Sequence, residues 1–448
     1  MRSHFHLIWH CFAFLFAVLL DTNAGHPIQA DRPNVVLIMA DDLGFHDLGC
    51  YGHPEIKTPA LDGLAKTGVR LTSFYSGATV CTPSRMALLT GAYPPRLGWT
   101  KGVVGYMIKT SQGMSPEALT MAEVFQSAGY ATGLSGKWHL GDDEAFRPHR
   151  QGFDRTYYTN KSNNQTTQLW RNDAVVEDPF DNRLLTEQFT HEAIRFIEDN
   201  RHKPFFLYLP YTAPHFPVQA HPAFEGHSTF GAYGDVVEEL DTRIDSILDK
   251  LRETGLSSKT IVVFLSDNGP QPGEQARAKP FRGEKWDALE GGTRVPCIVS
   301  WPGVLPAGTE SDALMAAIDL FPTLSRACGV KLAGLTHNMP YIDGVDVWDT
   351  LMGRKHVEHP RKDLLYWHGA NGFQAIRQGD WKLFPDATHA KLPGTQKGPA
   401  LFHLKTDPAE TNNLASKHPD RVDQMQTLAQ QRLKGIMEHQ LPLGESLP

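Results

Sequence analysis

Asn34-Val35-Val36-Leu37-Ile38-Met39 is an almost unbroken apolar run, and Asp41-Asp42 follow it after a single alanine. A run without polar alternation suits a strand buried on both faces, the pattern of a parallel sheet covered by helices. Working outward, similar runs recur between amphipathic segments. Thr120 to Ala128 has helical spacing, a capping box of Thr120 with Glu123, and Gly129 as its stop; Ala131–Leu134 then reads as a strand. Leu184 to Ile197 is amphipathic, with apolar residues at Leu184, Leu185, Phe189, Ala193, Ile194 and Ile197, and the strand Phe205–Leu209 follows. Val236 to Leu251 repeats the helical spacing, Gly255 ends it, and Thr260–Leu265 is a further buried strand. Strand alternating with helix predicts an α/β protein with a large, mostly parallel central sheet flanked by helices.

The polar residues gather in one place on this plan. Asp41 and Asp42 lie beyond the first strand, and Lys137 and His139 beyond Ala131–Leu134. His215 lies beyond Phe205–Leu209, and Asp267 and Asn268 beyond Thr260–Leu265. Ligands bind at the carboxyl edge of an open parallel sheet, so these clusters predict one composite site. Asp41, Asp42, Asp267 and Asn268 supply oxygen donors, which suit a hard cation, either Ca²⁺ or Mg²⁺. In isolation Asp41-Asp42 and Asp267-Asn268-Gly269 would each be ordinary turns. The turn reading gives way only when they are taken together with the signature around Cys81 that follows.

Cys81-Thr82-Pro83-Ser84-Arg85 leads into an apolar helical run that closes at Thr90-Gly91. Proline favours a helix start, so Cys81 is expected just before a helix N-terminus, where partial positive charge and Arg85 together suit an anion. By itself Cys81 reads equally as a buried structural thiol. The whole pattern, Cys-x-Pro-Ser-Arg-x4-Thr-Gly, resembles the signature of the type I sulfatases, in which this cysteine is oxidised after translation to formylglycine.

A second segment carries the same resemblance. Gly129-Tyr130-Ala131-Thr132, leading into Gly136-Lys137-Trp138-His139-Leu140-Gly141, is similar to the second sulfatase consensus. Pro214-His215-Phe216-Pro217 resembles the family's next active-site histidine, and Lys285, before Glu290-Gly291-Gly292-Thr293-Arg294, its second sulfate-binding lysine. The resemblance runs from about Arg32 to the C-terminus. It implies an alkaline-phosphatase-like fold, with a catalytic domain over 31–360 and a smaller C-terminal subdomain over 361–448. There, segments around Ala375–Arg377, Gly379–Leu383 and Leu401–Leu404 would form an antiparallel sheet packed against a helix from Pro419 to Met437.

The resemblance also implies the chemistry. One Ca²⁺ would be held by Asp41, Asp42, Asp267, Asn268 and the modified residue 81. Lys137 and Lys285 would bind the sulfuryl oxygens, with Arg85 beside them. The formylglycine hydrate would offer one hydroxyl to sulfur, with Asp267 as base and His215 or Lys285 protonating the leaving oxygen. His139 would deprotonate the second hydroxyl to expel sulfate. Maturation implies a formylglycine-generating enzyme as partner, and the substrate would be a sulfated carbohydrate or aryl sulfate.

Composition narrows the field further. The 448 residues are 41% hydrophobic and 21% charged with a net charge of −7, an ordinary globular balance that argues against nucleic acid. Arg2, the apolar stretch Leu7 to Leu20 and the exit Thr22-Asn23-Ala24 read as a signal peptide over 1–24, with a signal anchor as the runner-up, the run being short for a full membrane span. The mature chain is then expected to be exported without stable membrane insertion: periplasmic or extracellular, lysosomal if the host is eukaryotic. Without the signal, Cys50, Cys81, Cys297 and Cys328 remain, too few for a disulfide framework although one bridge is possible. Two further readings compete with a sulfatase: a phosphomonoester, phosphodiester or phosphonate hydrolase of the same superfamily, and a non-catalytic binder of sulfated glycans. The pocket walls are expected in the loops Gly98–Met114, Phe146–Trp170, Phe216–Gly234 and Gln271–Arg282, with Tyr157, Tyr158, Asn163, Asn164, Trp170, His221 and His227 as sugar-contacting candidates.

Overall fold

The computed structural model describes residues 32–446 apart from 274–275, 333–341, 355–357, 389, 391 and 393–396; the expected signal peptide lies outside them. The apolar run that begins at Asn34 forms β1 (Asn34–Ala40), buried along its whole length. Nine further strands join it: β2 (Val69–Leu71), β3 (Ala131–Lys137), β4 (Arg155–Thr159), β5 (Leu169–Arg171), β6 (Ala174–Glu177), β7 (Phe205–Pro210), β8 (Thr260–Ser266), β9 (Cys297–Ser300) and β10 (Thr309–Ser311). Their order is β6-β5-β4-β3-β7-β1-β8-β9-β2-β10. The centre, β4-β3-β7-β1-β8, is parallel throughout, while β5 and β9 pair antiparallel with their neighbours. The sheet is therefore mixed but mostly parallel, as expected.

Alternate residues of the central strands serve two cores. Val36 and Ile38 pack with α1 (Pro59–Thr67), α4 (Leu185–Asp199) and α5 (Gly231–Glu253). Val35, Leu37 and Met39 pack on the other face with α2 (Cys81–Thr90), α3 (Met121–Ser127) and the later helix Leu320–Ala327. Both bonds of the Thr120–Glu123 capping box form, and Gly129 turns away with φ +84°.

Strand β3 runs three residues beyond the expected Leu134. Gly133, Ser135 and Gly136 are weak strand formers, but β4 pairs with the strand from Gly133 to Lys137, while β7 pairs with Ala131 to Leu134 on the other side. Gly136 is required there, since a Cβ would lie 1.9 Å from the Pro210 carbonyl oxygen. The extension makes Lys137 the last residue of the strand rather than a loop residue.

The C-terminal part forms a four-stranded antiparallel sheet, β11 (Asp363–His368), β12 (Gly372–Gln378), β13 (Trp381–Phe384) and β14 (Ala400–His403). The helix Pro419–Met437 buries Val422, Met425, Ala429 and Ile436 in the core these strands share with α2 and α3. A buried ionic cluster joins the two parts. Lys382 lies 3.0 Å from Glu290 and 2.9 Å from Glu410, and Tyr75 donates to Glu290 at 2.5 Å. Cys50, Cys81, Cys297 and Cys328 are all free, so none of these four is bridged.

Candidate active site

Strands β3, β7, β1 and β8 are consecutive in the sheet, so the four polar clusters predicted beyond their carboxyl ends meet. The structure brings together Asp41, Asp42, Cys81, Arg85, Lys137, His139, His215, Asp267, Asn268 and Lys285, all buried. Cys81 is the first residue of α2 rather than the residue before it; Val80 takes the extended cap position. Pro83 then falls in the first turn, where its missing N–H leaves no hydrogen bond unmade. The Cys81 Sγ is 3.4 Å from Asp41 Oδ1.

Ligand atoms of Asp41, Asp42, Cys81 and Asp267 lie within 4.8 Å of one another. Asp42 adopts φ +65°, an uncommon conformation for a non-glycine residue, and its backbone N–H donates to Asp267 Oδ1 at 3.2 Å. Asn268 donates its Nδ2 to Asp42 Oδ1 at 2.7 Å and to the Gly269 carbonyl at 2.9 Å. Those donations fix which way the amide points. Its Oδ1 is then a buried acceptor without a hydrogen-bond partner. An orphaned acceptor beside three carboxylates is what an oxygen-liganded cation requires, so the residues present fit a hard metal ion.

Cations surround the cluster. Lys137 donates to Asp41 Oδ2 at 2.6 Å and Lys285 to Asp42 Oδ2 at 2.7 Å. Arg85 is fully buried and spends its guanidinium on protein groups: Nε and Nη2 reach Asp267 Oδ2 at 3.1 and 2.8 Å, and Nη1 donates to the Lys137 carbonyl at 2.8 Å. Its geometry is that of a residue positioning Asp267 and the end of β3.

Burial opposes ionisation of Asp41, but Lys137, His215, Arg85 and Lys285 together hold it well below the usual carboxylate range. Asp267 goes the other way: burial, then the charge of Asp41, push it up to about 6 against the pull of Arg85. Two carboxylates this close resist ionising together, a conflict that a divalent cation would remove. Burial and then Asp41 raise the Cys81 thiol, so this site does not favour a thiolate nucleophile.

The two histidines are both held neutral. Burial, Lys137 and Arg85 keep His139 well below its usual value, and it adopts φ +60°. Its Nε2 faces the Val104 carbonyl at 3.0 Å, which can only accept, so the proton is on Nε2 and Nδ1 carries the lone pair. Burial lowers His215 to about 4 despite Asp42. Its Nδ1 donates to the Phe216 carbonyl at 2.7 Å, leaving Nε2 3.6 Å from Asp42.

A cavity of about 390 Å³ opens onto Cys81, His139, His215 and Lys285. All four expected loops contribute to its wall, through Val103, Tyr106, Ser162, Asn164, Gln165, Phe216 and Gln271. Of the side chains singled out from the sequence as sugar contacts, only Asn164 lines it. Tyr106 and Gln165 fall within the expected loops but were not singled out, and Trp286 lies outside them, its adjacency to Lys285 being its one available signal.

The arrangement is that of an ester hydrolase for an oxyanion group, and comparisons with known proteins identify the class. A family model described as Sulfatase matches residues 33–330. Arylsulfatase A from Bos taurus is 34% identical over 91% of this chain and 87% of its own length. The N-acetylgalactosamine-6-sulfatase of Canis lupus familiaris is 33% identical over 97% of this chain and 91% of its own. Among solved structures, the PsFucS1 sulfatase from Pseudoalteromonas sp. superposes with a TM-score of 0.83 at 26% identity, covering 93% of each chain. A structure described as Ps i-CgsB in complex with k-i-k-neocarrahexaose gives 0.80 at 28% identity, covering 92% of this chain and 94% of the other. The chain belongs to the sulfatase family. Its fold is that of the family, and its activity is the hydrolysis of sulfuric esters.

Proposed function

We propose that the protein is an exported sulfatase that acts through formylglycine at position 81 and one bound Ca²⁺, on sulfated carbohydrates or aryl sulfates. The observation carrying this reading is Cys81 at the start of α2, against Asp41, Asp42 and Asp267 and within reach of two lysines. Asp41, Asp42, Asp267, Asn268 and residue 81 would hold the ion, which would supply positive charge toward the sulfuryl oxygens. Formylglycine would supply a geminal diol, one hydroxyl to attack sulfur and the other to restore the aldehyde as sulfate leaves.

The chain's own residues do the rest. Lys137 and Lys285 present ammonium groups to the sulfuryl oxygens, and their preorganisation by Asp41 and Asp42 removes the cost of orienting them during reaction. Asp267, held by Arg85, accepts a proton from the attacking hydroxyl. His139 Nδ1, unprotonated, takes the proton of the second hydroxyl. Lys285 remains protonated, since Asp42 raises it against the effect of burial. His215 is neutral until the substrate's negative charge favours its protonation, and one of these two delivers the proton to the leaving oxygen.

Maturation has a structural condition. Every residue from Cys81 to Thr90 is buried, so a formylglycine-generating enzyme must act on this segment before it folds. That timing accords with export of an unfolded chain by the segment 1–24. Among the described residues, no helix is long and apolar enough to cross a membrane. The test is hydrolysis of 4-nitrophenyl sulfate against 4-nitrophenyl phosphate by the converted protein: preference for the sulfate is expected, and preference for the phosphate would overturn the reading.

A further inference from the structure

The sulfatase reading accounts for the floor of the pocket, and the wall above the sulfuryl seat carries separate information. We propose that this wall selects a neutral, hydroxyl-bearing pyranose ring with a single sulfate, held by Trp286 and Tyr106 together with the amides of Asn164, Gln165 and Gln271. The proposal rests on the sulfatase reading of the same site and names its substrate class.

Trp286 adjoins Lys285 and adopts φ +76°, the left-handed region that a bulky side chain rarely enters. Such strain persists only where the surroundings over-determine it, and it gathers at ligand clamps. Here the surroundings are visible. The Trp286 backbone N–H donates to the Thr79 carbonyl at 3.0 Å. Its ring lies against Gly369, where a Cβ would come within 2.5 Å of Trp286 Cε3. Gly369 is pinned in turn, donating to Thr79 Oγ1 at 2.8 Å and accepting from the Gly102 N–H at 2.6 Å. The C-terminal subdomain thus supplies the floor on which an active-site aromatic rests. Tyr106 meets Trp286 edge-on at 5.9 Å, and it is 53% exposed at the pocket mouth. An aromatic wall of this kind suits the C–H face of a sugar ring as well as an aryl ring.

The amides and charges separate those two. Gln165 lines the pocket with an Oε1 that has no hydrogen-bond partner, beside the exposed Asn164. A steroid or simple aryl group would leave these polar groups unpaired, whereas ring hydroxyls would satisfy them. A second anion is disfavoured by what the wall lacks. Among the described lining residues Lys285 is the one Lys or Arg, and it is paired with Asp42. Lys161, which packs beside Gly105, spends its ammonium on Asp142 at 2.7 Å. A uronate carboxylate or second sulfate above the seat would be desolvated without a partner.

The test compares kcat/KM of the converted protein on monosulfated galactose and N-acetylgalactosamine, a monosulfated uronate-containing disaccharide, and 4-nitrophenyl sulfate. At least one neutral sugar sulfate is expected to exceed the uronate substrate by tenfold or more. Gln165→Ala and Trp286→Phe should each lower the sugar-to-aryl ratio at least fivefold, chiefly through KM. Gly369→Ala, which displaces the Trp286 ring from outside the pocket, should shift the ratio the same way. Preference for the uronate substrate, or unchanged ratios in all three variants, overturns the ring assignment while aryl sulfate turnover leaves the sulfatase reading standing. Absence of any sulfate ester turnover by converted protein would overturn both.

Discussion

In the mechanism proposed for residue 81, the chemistry turns on what happens after sulfur is attacked. A serine there could accept the sulfuryl group but would have no second hydroxyl with which to release it. The neighbouring proton donors can be told apart by leaving group. General acid catalysis matters most when the departing oxygen is strongly basic. If Lys285 protonates that oxygen, Lys285→Ala should depress turnover of an alkyl or sugar sulfate at least tenfold more than that of 4-nitrophenyl sulfate. If His215 does, His215→Ala should show that pattern instead. Equal losses on both substrates in both variants would remove the two residues from the role. Asp41, Asp42, Lys137, His139, His215, Asp267 and Asn268 were legible as a group because strand ends in a parallel sheet converge whatever the loops do. Arg85 was legible as a cation, but only the structure shows its guanidinium turned onto Asp267.

The elements show why the rest was not legible. Strand β3 reaches Lys137 because β4 pairs with a stretch of poor intrinsic propensity through to that residue, whereas β7 pairs only as far as Leu134. The reversed strands β5 and β9 have no local signal of direction. Tyr106 and Trp286 depend on loop conformations with no periodicity to read. Close packing behind the site gives an element-scale prediction. A Cβ on Gly269 would lie 2.0 Å from the Gly291 carbonyl oxygen, in the short helix Glu290–Thr293. Gly269→Ala should therefore destabilise the protein by about 1–3 kcal/mol and, by displacing Asn268, lower turnover as well. Gly63→Ala in α1 meets nothing within 4 Å and should be neutral or stabilising by about 0.5–1 kcal/mol. Urea titrations of the two variants check both; an undisturbed Gly269→Ala protein would contradict the packing argument.

Across the whole molecule, two clusters of buried charge join parts distant in sequence. Chelation tests the first. Removing the cation should leave Asp41, Asp42 and Asp267 crowded, abolish activity and lower Tm, because an ion bound at a hundred times its Kd stabilises by about 2.7 kcal/mol. Full activity after strong chelation in metal-free buffer would contradict the metal assignment. The second cluster links Glu290, Lys382 and Glu410. Burial raises Glu410 to about 7 from 4.5, Lys382 opposing and Glu290 adding to the rise. The folded state then holds a proton on Glu410 between those values that the unfolded chain has released. This group's contribution is fully present below pH 4.5 and is lost as pH climbs through 7. Glu410→Gln keeps an acceptor for the Glu290 N–H without the titration, so its stability should gain on the natural protein between pH 5 and pH 8, by on the order of 3 kcal/mol. Parallel stability curves for the two proteins would contradict the assignment.

The central claim is that sulfate ester hydrolysis runs through a converted residue 81, and mass spectrometry coupled to assay tests it most directly. Conversion of the thiol to the aldehyde removes roughly 18 Da from the tryptic peptide ending at Arg85. Protein produced with graded amounts of a formylglycine-generating enzyme should show that loss in graded proportion. Turnover of 4-nitrophenyl sulfate should rise linearly with the converted fraction and extrapolate to zero for the unconverted protein, with Cys81→Ala folded but inactive. Full turnover from protein whose residue 81 is entirely cysteine would contradict the account.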